Sequence, residues 1–300
     1  PKGAKWKNVI DSLEMNGFIH RRGVMSFATL AKLTGYRDNI IPGYYIIEPG
    51  MSNKDVISKL KGGRQDPVKV TFQITRRKKQ LAIRLAKNIG LSSEEILDAL
   101  NSETIAADYG FGDKTFISMF RPNTYEVYYT ITQKELFDKM KDQYDAFWTP
   151  TRLALLDSTG FTKDEVFTFA SIVEGEVRMK DEMPKVAGVY YNRIKFNMKL
   201  QADITICYAL NDYRRLYHSD YETVSEYSTY YKKGLPPGPI NTPSDEAIDA
   251  VLKPQTHKYL YYVVNAEDTN RHKFAENHKE HLKYSKELTE YLKVRNNKED

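Results

Sequence analysis

Asp164-Glu165-Val166-Phe167-Thr168-Phe169-Ala170-Ser171-Ile172-Val173-Glu174-Gly175-Glu176-Val177 is the stretch on which the reading of this chain turns. Val166, Phe169, Ala170, Val173 and Val177 recur at helical spacing, which predicts a helix with one shared buried face. At about 3.6 residues per turn, Glu174 falls on one margin of that face beside Phe167, and Glu176 falls on the opposite margin near Phe169. Carboxylates two positions apart on a helix point away from each other, so they do not form an acid/base pair on one substrate atom. A carboxyl at an apolar margin has its charged form disfavoured. Its pKa rises, and it can hold a proton near neutrality, as a general acid must. Taken alone, this helix fits an ordinary boundary glutamate paired to a Lys or Arg better.

Downstream, Pro184 suits the first turn of a second helix, with Val186, Val189, Tyr190 and Ile194 along one side and an end near Asn197. Leu200-Gln201-Ala202-Asp203 then leads into a helix over Ile204 to Leu210. Gln201 and Asp203 carry groups able to orient sugar hydroxyls or an N-acetyl group, while Asp203 reads equally well as a helix N-cap. Gly234-Leu-Pro-Pro-Gly-Pro-Ile240 is too rigid and apolar for a casual linker. It fits either a groove wall or a brace for a helix starting near Ser244. The strand-like Tyr259 to Val264 follows.

Upstream, the chain reads as small mixed modules. Helices are expected over Lys5 to Met15, over Phe27 to Leu33 with Ser26 as N-cap, and after Ser52 up to Gly62-Gly63. Gly43 to Ile47 is strand-like. A strand over Val68 to Ile74, a helix over Lys79 to Asn88 and a helix capped by Ser92 follow in turn. Phe120 to Tyr125 reads as a turn before a strand over Glu126 to Ile131. A charged amphipathic helix, Gln133 to Trp148, leads into a mostly helical second half, with the boundary placed near 145.

Composition sets the outer bounds. Three hundred residues suit two domains, and 41% hydrophobic with 28% charged residues is globular. A net charge of +5 fits contact with acidic polymers or anionic headgroups but is too small to argue for nucleic acid. The basic run Arg76 to Lys79 reads as a solvated helix face. Twenty-two tyrosines stand against two tryptophans, a supply of flat apolar area with hydrogen-bonding tips that suits sugars and half-buried sheets alike. With Cys207 as the sole cysteine, an intrachain disulfide is excluded.

An ordered set of motifs makes the resemblance specific. Ala170-Ser-Ile-Val-Glu174, Ala187-Gly-Val-Tyr-Tyr-Asn-Arg193, Leu200-Gln-Ala-Asp203, Tyr227-Ser-Thr-Tyr230, Gly234 to Ile240, Tyr259-Leu-Tyr-Tyr-Val263 and His272-Lys-Phe274 occur in this order. Together they resemble the catalytic domain of the YceG/MltG-like endolytic murein transglycosylases, and His281 matches the last histidine of that pattern. Gly43-Tyr-Tyr-Ile-Ile-Glu-Pro-Gly50 and Phe120-Arg-Pro-Asn-Thr-Tyr125 resemble the family's LysM-like region. The implied fold is α+β: a LysM-like module over 1–66, a second small α+β module with a connecting helix over 67–145, and a catalytic domain over 146–300.

The resemblance also implies a role for each matched residue. Glu174 is expected as the catalytic acid/base, and Glu176, Asn192, Gln201, Asp203, Tyr227, Tyr230, Pro236 and Pro237 as substrate-binding residues. Family members cut the β-1,4 bond between N-acetylmuramic acid and N-acetylglucosamine, with the muramyl C6 hydroxyl rather than water as nucleophile. One carboxyl then suffices, where ordinary glycosidases use two. No metal or organic cofactor is implied. The expected partners are peptidoglycan glycan strands and peptidoglycan synthases, with no nucleic acid. An inner-membrane location is expected, with one spanning helix upstream of Pro1 and the residues printed here in the periplasm.

The sequence departs from the pattern at Gly175, where the family usually has Lys, at Val177 for Thr, at Ile204 for Pro, and at Leu282 for Asn. Two other classes compete with the enzyme reading. A non-catalytic peptidoglycan-binding scaffold would act through the LysM-like half, and a zinc hydrolase would use His272, His278 and His281, of which the last two stand i, i+3 on a helix.

Overall fold

A computed structural model describes residues 1–20 and 22–299, with side chains through Val294. The chain folds into two compact units, each assembled from separated segments. The first holds Pro1–Phe72, Leu81–Ala99 and Asn123–Asp138. The second holds Gln73–Gln80, Leu100–Pro122 and the chain from Lys139 onward. The divisions at 66/67 and 145/146 therefore differ from the units found. Residues 73–80 and 100–122 join the C-terminal part through pairings no local pattern reveals. The Thr75 N–H donates to Thr242 Oγ1 at 2.8 Å, and the Thr242 N–H returns a bond to the Thr75 carbonyl at 2.9 Å.

In the first unit, α1 (Trp6–Met15), α2 (Val24–Leu33) and α3 (Asn53–Lys61) pack around Leu13, Phe27, Ala31, Tyr36, Ile57 and Leu60. Ser52 caps α3 as expected, in a box closed by Asp55. Ser26 is no cap: α2 begins three residues before Phe27, at Val24, and the Ser26 hydroxyl turns back to the Gly23 carbonyl. Gly43 to Ile47 is extended but joins no strand, because Asp66 takes its hydrogen bonds. The Ile46 N–H donates to Asp66 Oδ2 at 2.7 Å, and the Asp66 N–H donates to the Tyr44 carbonyl at 2.9 Å. Among the described residues, 1–66 hold three helices and no strand, so the LysM-like assignment is not confirmed.

The sheet of this unit is β1 (Val68–Phe72) antiparallel to β2 (Asn123–Val127), with Val68 opposite Val127 and Phe72 opposite Asn123. Alternate residues of β1 are buried, and Phe72 stacks on Tyr125 at 5.7 Å. The second half of the segment read as a turn, Asn123 to Tyr125, is therefore strand, which ends at Val127 rather than Ile131. Between β1 and β2 come α4 (Lys78–Leu85), α5 (Ser93–Asn101) and α6 (Glu103–Asp108).

The second unit is mainly helical. After α7 (Gln133–Phe147) come α8 (Pro150–Thr159), α9 (Lys163–Glu176), α10 (Met183–Lys195), α11 (Asp203–Leu210) and α12 (Asp245–Leu252). A hairpin of β3 (Tyr261–Val264) and β4 (His272–Ala275) precedes α13 (His278–Glu299), with Tyr261 opposite Ala275. The centre is α9. Thr162 caps it with Glu165, and all eight residues from Val166 to Val173 are buried, more than the single face expected. A helix buried all round lies inside a core. Its hydroxyls are satisfied locally, Thr168 on the Asp164 carbonyl and Ser171 on the Thr168 carbonyl. Burying Phe167, Phe169 or Ile172 contributes about 1.5–3 kcal/mol each, which fixes the helix and whatever its last turn carries.

Candidate active site

The last turn of α9 delivers Glu174 and Glu176 to different neighbours. Glu174 Oε2 accepts the Ser244 N–H at 3.0 Å and the Ser244 hydroxyl, while Ser244 Oγ in turn accepts the Ala247 N–H as N-cap of α12. A carboxylate at a helix N-terminus is favourable for the macrodipole. Arg121 and Arg152 hold the same helix at Asp245 and Asp249 and cover the Phe147 ring at 4.2 and 3.9 Å. Glu174 thus ties α9 to α12, a different setting from the open apolar margin read in the sequence.

Glu176 meets the other environment. Its Oε2 accepts the Tyr262 hydroxyl at 2.9 Å, and Oε1 faces the Ile204 N–H at 3.5 Å. The side chain is half-buried, with its carboxyl surrounded by protein. Burial pushes its pKa up to about 7. The Tyr262 hydroxyl and the Ile204 N–H pull it back, Arg193 does so at longer range, and the nearby Asp203 charge adds to the rise. Tyr262 shares a further bond with Tyr190, hydroxyl to hydroxyl at 2.6 Å, and burial pushes both phenols well above their ordinary value, so both remain hydroxyls.

Beside Glu176 stands Asp203, the first residue of α11. The cap position belongs to Ala202, and no side chain caps it, so Asp203 does not serve as the N-cap. Its carboxylate instead accepts the Tyr230 hydroxyl at 2.7 Å and the Tyr221 hydroxyl at 3.3 Å, the two rings standing 4.9 Å apart. Gln201 is exposed, at φ +50, a left-handed conformation that costs a non-glycine residue about 1–2 kcal/mol. Thr229 holds that turn, its carbonyl accepting the Gln201 N–H at 3.2 Å and its Oγ1 the Ala202 N–H at 2.9 Å. A strained turn, pinned from outside, presents Gln201 to solvent next to Asp203.

The remaining expected residues part from this cluster. Asn192 spends its amide on the His257 and Tyr259 carbonyls, both at 2.9 Å, and next to it the buried Arg193 bonds the Leu260 and Leu200 carbonyls. Both pin the chain ahead of β3, so the Asn192 amide N–H groups serve the backbone. The Tyr227 ring packs tilted against Tyr208 at 4.8 Å, and the Arg77 guanidinium lies 4.0 Å over the Tyr208 ring. Pro236 is buried and Pro237 exposed. Their loop braces α9, with the Ile240 N–H on Ser171 Oγ at 3.0 Å and the Asn241 amide on the Ser171 carbonyl at 2.7 Å. Gly238 is needed there, since a Cβ would lie 2.3 Å from the Lys114 carbonyl oxygen.

The three histidines of the hydrolase reading have different surroundings. His272 Nδ1 pairs with Glu182 at 2.9 Å, His281 stacks on Tyr261 at 5.3 Å, and His278 is exposed. Among the described residues no group of three side chains is arranged to hold a metal ion, and no helix is long and apolar enough to cross a membrane. Tyr190, Tyr262 and Ser244 were not singled out as site residues in the sequence. Tyr190 counted as apolar surface of its helix, and Tyr262 stood inside the matched motif Tyr259 to Val263 without a role of its own.

Comparison with known proteins extends this picture. The YceG-like family model matches residues 1–287. An endolytic murein transglycosylase of Streptococcus pneumoniae (strain D39) is 28% identical over 94% of this chain, and the chain spans 56% of that protein. The endolytic murein transglycosylase of Bacillus subtilis (strain 168) is 27% identical over 99% of this chain and 85% of its own length. The crystal structure of a YceG-like protein of Listeria monocytogenes superposes with a TM-score of 0.65, at 24% identity, covering 94% of this chain and 96% of that one. A match over nearly all of its length, with the same fold, makes the chain a member of the YceG-like family.

Proposed function

We propose that this chain carries the catalytic part of an endolytic murein transglycosylase, and that Glu176, rather than Glu174, is its acid/base. The observation that carries the reading is the contrast between the two carboxyls. Glu174 is engaged at the start of α12, where its Oε2 accepts both the N–H and the hydroxyl of Ser244. Glu176 is held near neutral pKa beside an exposed Gln201 and an Asp203 carboxylate. A group poised near 7 is suited to give and take back a proton in one cycle.

In the proposed cycle Glu176 protonates the glycosidic oxygen as the C1–O bond breaks. The muramyl C6 hydroxyl attacks C1, the new C1–O6 bond forms, and the C6 hydroxyl proton returns to Glu176. Protons balance without water, and the product is a 1,6-anhydro end. Asp203, with two of its acceptor positions taken by Tyr221 and Tyr230, keeps the rest for a sugar hydroxyl or acetamido N–H, and Gln201 supplies a donor and an acceptor next to it. The substrate class places the site outside the cytoplasm.

The test is mass spectrometry of products from purified sacculi. The parent is expected to release fragments with anhydro-muramyl ends. Glu176→Gln, which keeps shape but cannot donate the proton, should release none, and Glu174→Gln should retain a large part of the activity. Loss in Glu174→Gln with Glu176→Gln unaffected would reverse the assignment. Binding to sacculi without any product from the parent would favour a scaffold.

A further inference from the structure

Glu176 is gripped unequally. Oε2 has a 2.9 Å bond from a buried phenol, whereas Oε1 has only the 3.5 Å approach of the Ile204 N–H. The phenol is itself fixed. The Tyr262 ring stands edge-on to Tyr190 at 6.1 Å and to His272 at 5.3 Å, and it lies opposite Phe274 in the hairpin. His272 is locked in turn, its backbone N–H and Nδ1 both on Glu182, at 3.1 and 2.9 Å. Behind Tyr262 the Tyr190 hydroxyl stands at 2.6 Å. A hydroxyl has one proton. If Tyr190 donates to the Tyr262 oxygen, the Tyr262 proton is left for Glu176.

We propose that Tyr262, with Tyr190 behind it, is a positioning residue for the acid: the pair holds Oε2 and leaves Oε1 to carry the proton that reaches the scissile oxygen. The proposal rests on the assignment of Glu176 as the acid. Buried hydroxyls in series polarise each other, so the second tyrosine strengthens the first bond. The groups facing Glu176 are Tyr262 from β3, Tyr190 and Arg193 from α10, Asp203, Cys207 and the Ile204 N–H from α11, and Tyr230 from the loop beyond it. Of these, Tyr262 donates the shortest hydrogen bond to the carboxylate. Its removal favours the protonated form and raises the pKa further.

The experiment compares Tyr262→Phe, Tyr190→Phe and Glu176→Gln with the parent on soluble glycan strands, following kcat and KM against pH. In parallel, the Glu176 carboxyl is titrated by carbon-13 NMR, assigned by its loss in Glu176→Gln. Activity needs the protonated carboxyl, so the parent rate falls as pH rises through about 7. In Tyr262→Phe the alkaline limb and the titration should both move up by about one pH unit, as expected for a lost bond to the charged form. At lower pH kcat should fall about tenfold with KM unchanged, because the carboxyl is misaligned rather than the substrate unbound. Tyr190→Phe should shift both in the same direction by less, and it carries the test if Tyr262→Phe does not fold.

Profiles and titrations that superimpose on the parent's would overturn the proposal, because a merely structural tyrosine lowers the amount of folded enzyme without moving a pKa. An inactive Glu176→Gln with unshifted tyrosine variants removes the positioning pair alone. An active Glu176→Gln removes the acid assignment and the pair with it.

Discussion

Glu176 contributes less to stability as pH rises toward and past neutrality. Its folded pKa of about 7 lies above the ordinary 4.5, so the folded chain binds this proton more tightly than the unfolded chain does. The sign follows from linkage: the stabilisation is complete below about 4.5 and is lost as pH rises through about 7. Glu176→Gln lacks this carboxyl and its contribution to the pH dependence. Thermal or urea unfolding should therefore show the variant gaining on the parent between pH 4.5 and 8, by on the order of 2–3 kcal/mol. A constant difference across that range would mean the carboxyl is not buried as described. The stability gained and the activity lost then have one cause, a carboxylate denied full hydration.

At the scale of elements, two departures from the family pattern turn out to be coupled. A Cβ at Gly175 would lie 2.6 Å from Ile204 Cγ1 and 3.1 Å from its Cγ2, so the last turn of α9 accepts a branched side chain at the start of α11 only because residue 175 has none. Gly175→Ala should lower stability by about 1–3 kcal/mol despite the better helix propensity of alanine. Ile204→Ala in the same chain should recover most of the loss. Urea denaturation of the four proteins gives the coupling, and strictly additive effects would sink the idea.

Much at this scale was legible in sequence. Residues 163–176 form the expected helix, Ser52 caps α3, and Pro184 opens α10, since caps and periodicity are local chemistry. What was not legible depended on distant partners. Gly43 to Ile47 has strand composition, yet its hydrogen bonds go to Asp66. Periodicity put both glutamates on apolar margins, but the choice between them lay with Ser244, 70 residues on, and Tyr262, 86 residues on. Asn192 was matched as part of a motif, and only the fold reveals that its amide serves the backbone.

At the scale of the whole molecule, each unit is woven from three stretches of chain, so a single cut cannot release the second one. A fragment of residues 139–300 would lack Thr75, Arg121, and the rings of Phe111 and Phe116. These rings reach Tyr144 directly at 5.2 Å and through Phe111 at 6.1 Å, and Arg121 pairs with Asp245. Removing such partners leaves buried polar groups and cavities worth several kcal/mol in sum. That fragment should show broad, non-cooperative unfolding and no product release, whereas the full 300 residues unfold cooperatively. A sharply melting, active fragment would contradict the description of the units.

The weave also has a consequence in time. The Glu176 carboxyl is surrounded only after β3 has been made, and β3 is steadied by β4, whose His272 must find Glu182 90 residues back. Until then residue 176 is an ordinary solvated glutamate, ionised at neutral pH. Long-range closure of this kind comes late in folding. On the proposed assignment, a chain still being synthesised would therefore have no acid until nearly all of it had been made, and the order of synthesis alone would keep half-built molecules from acting.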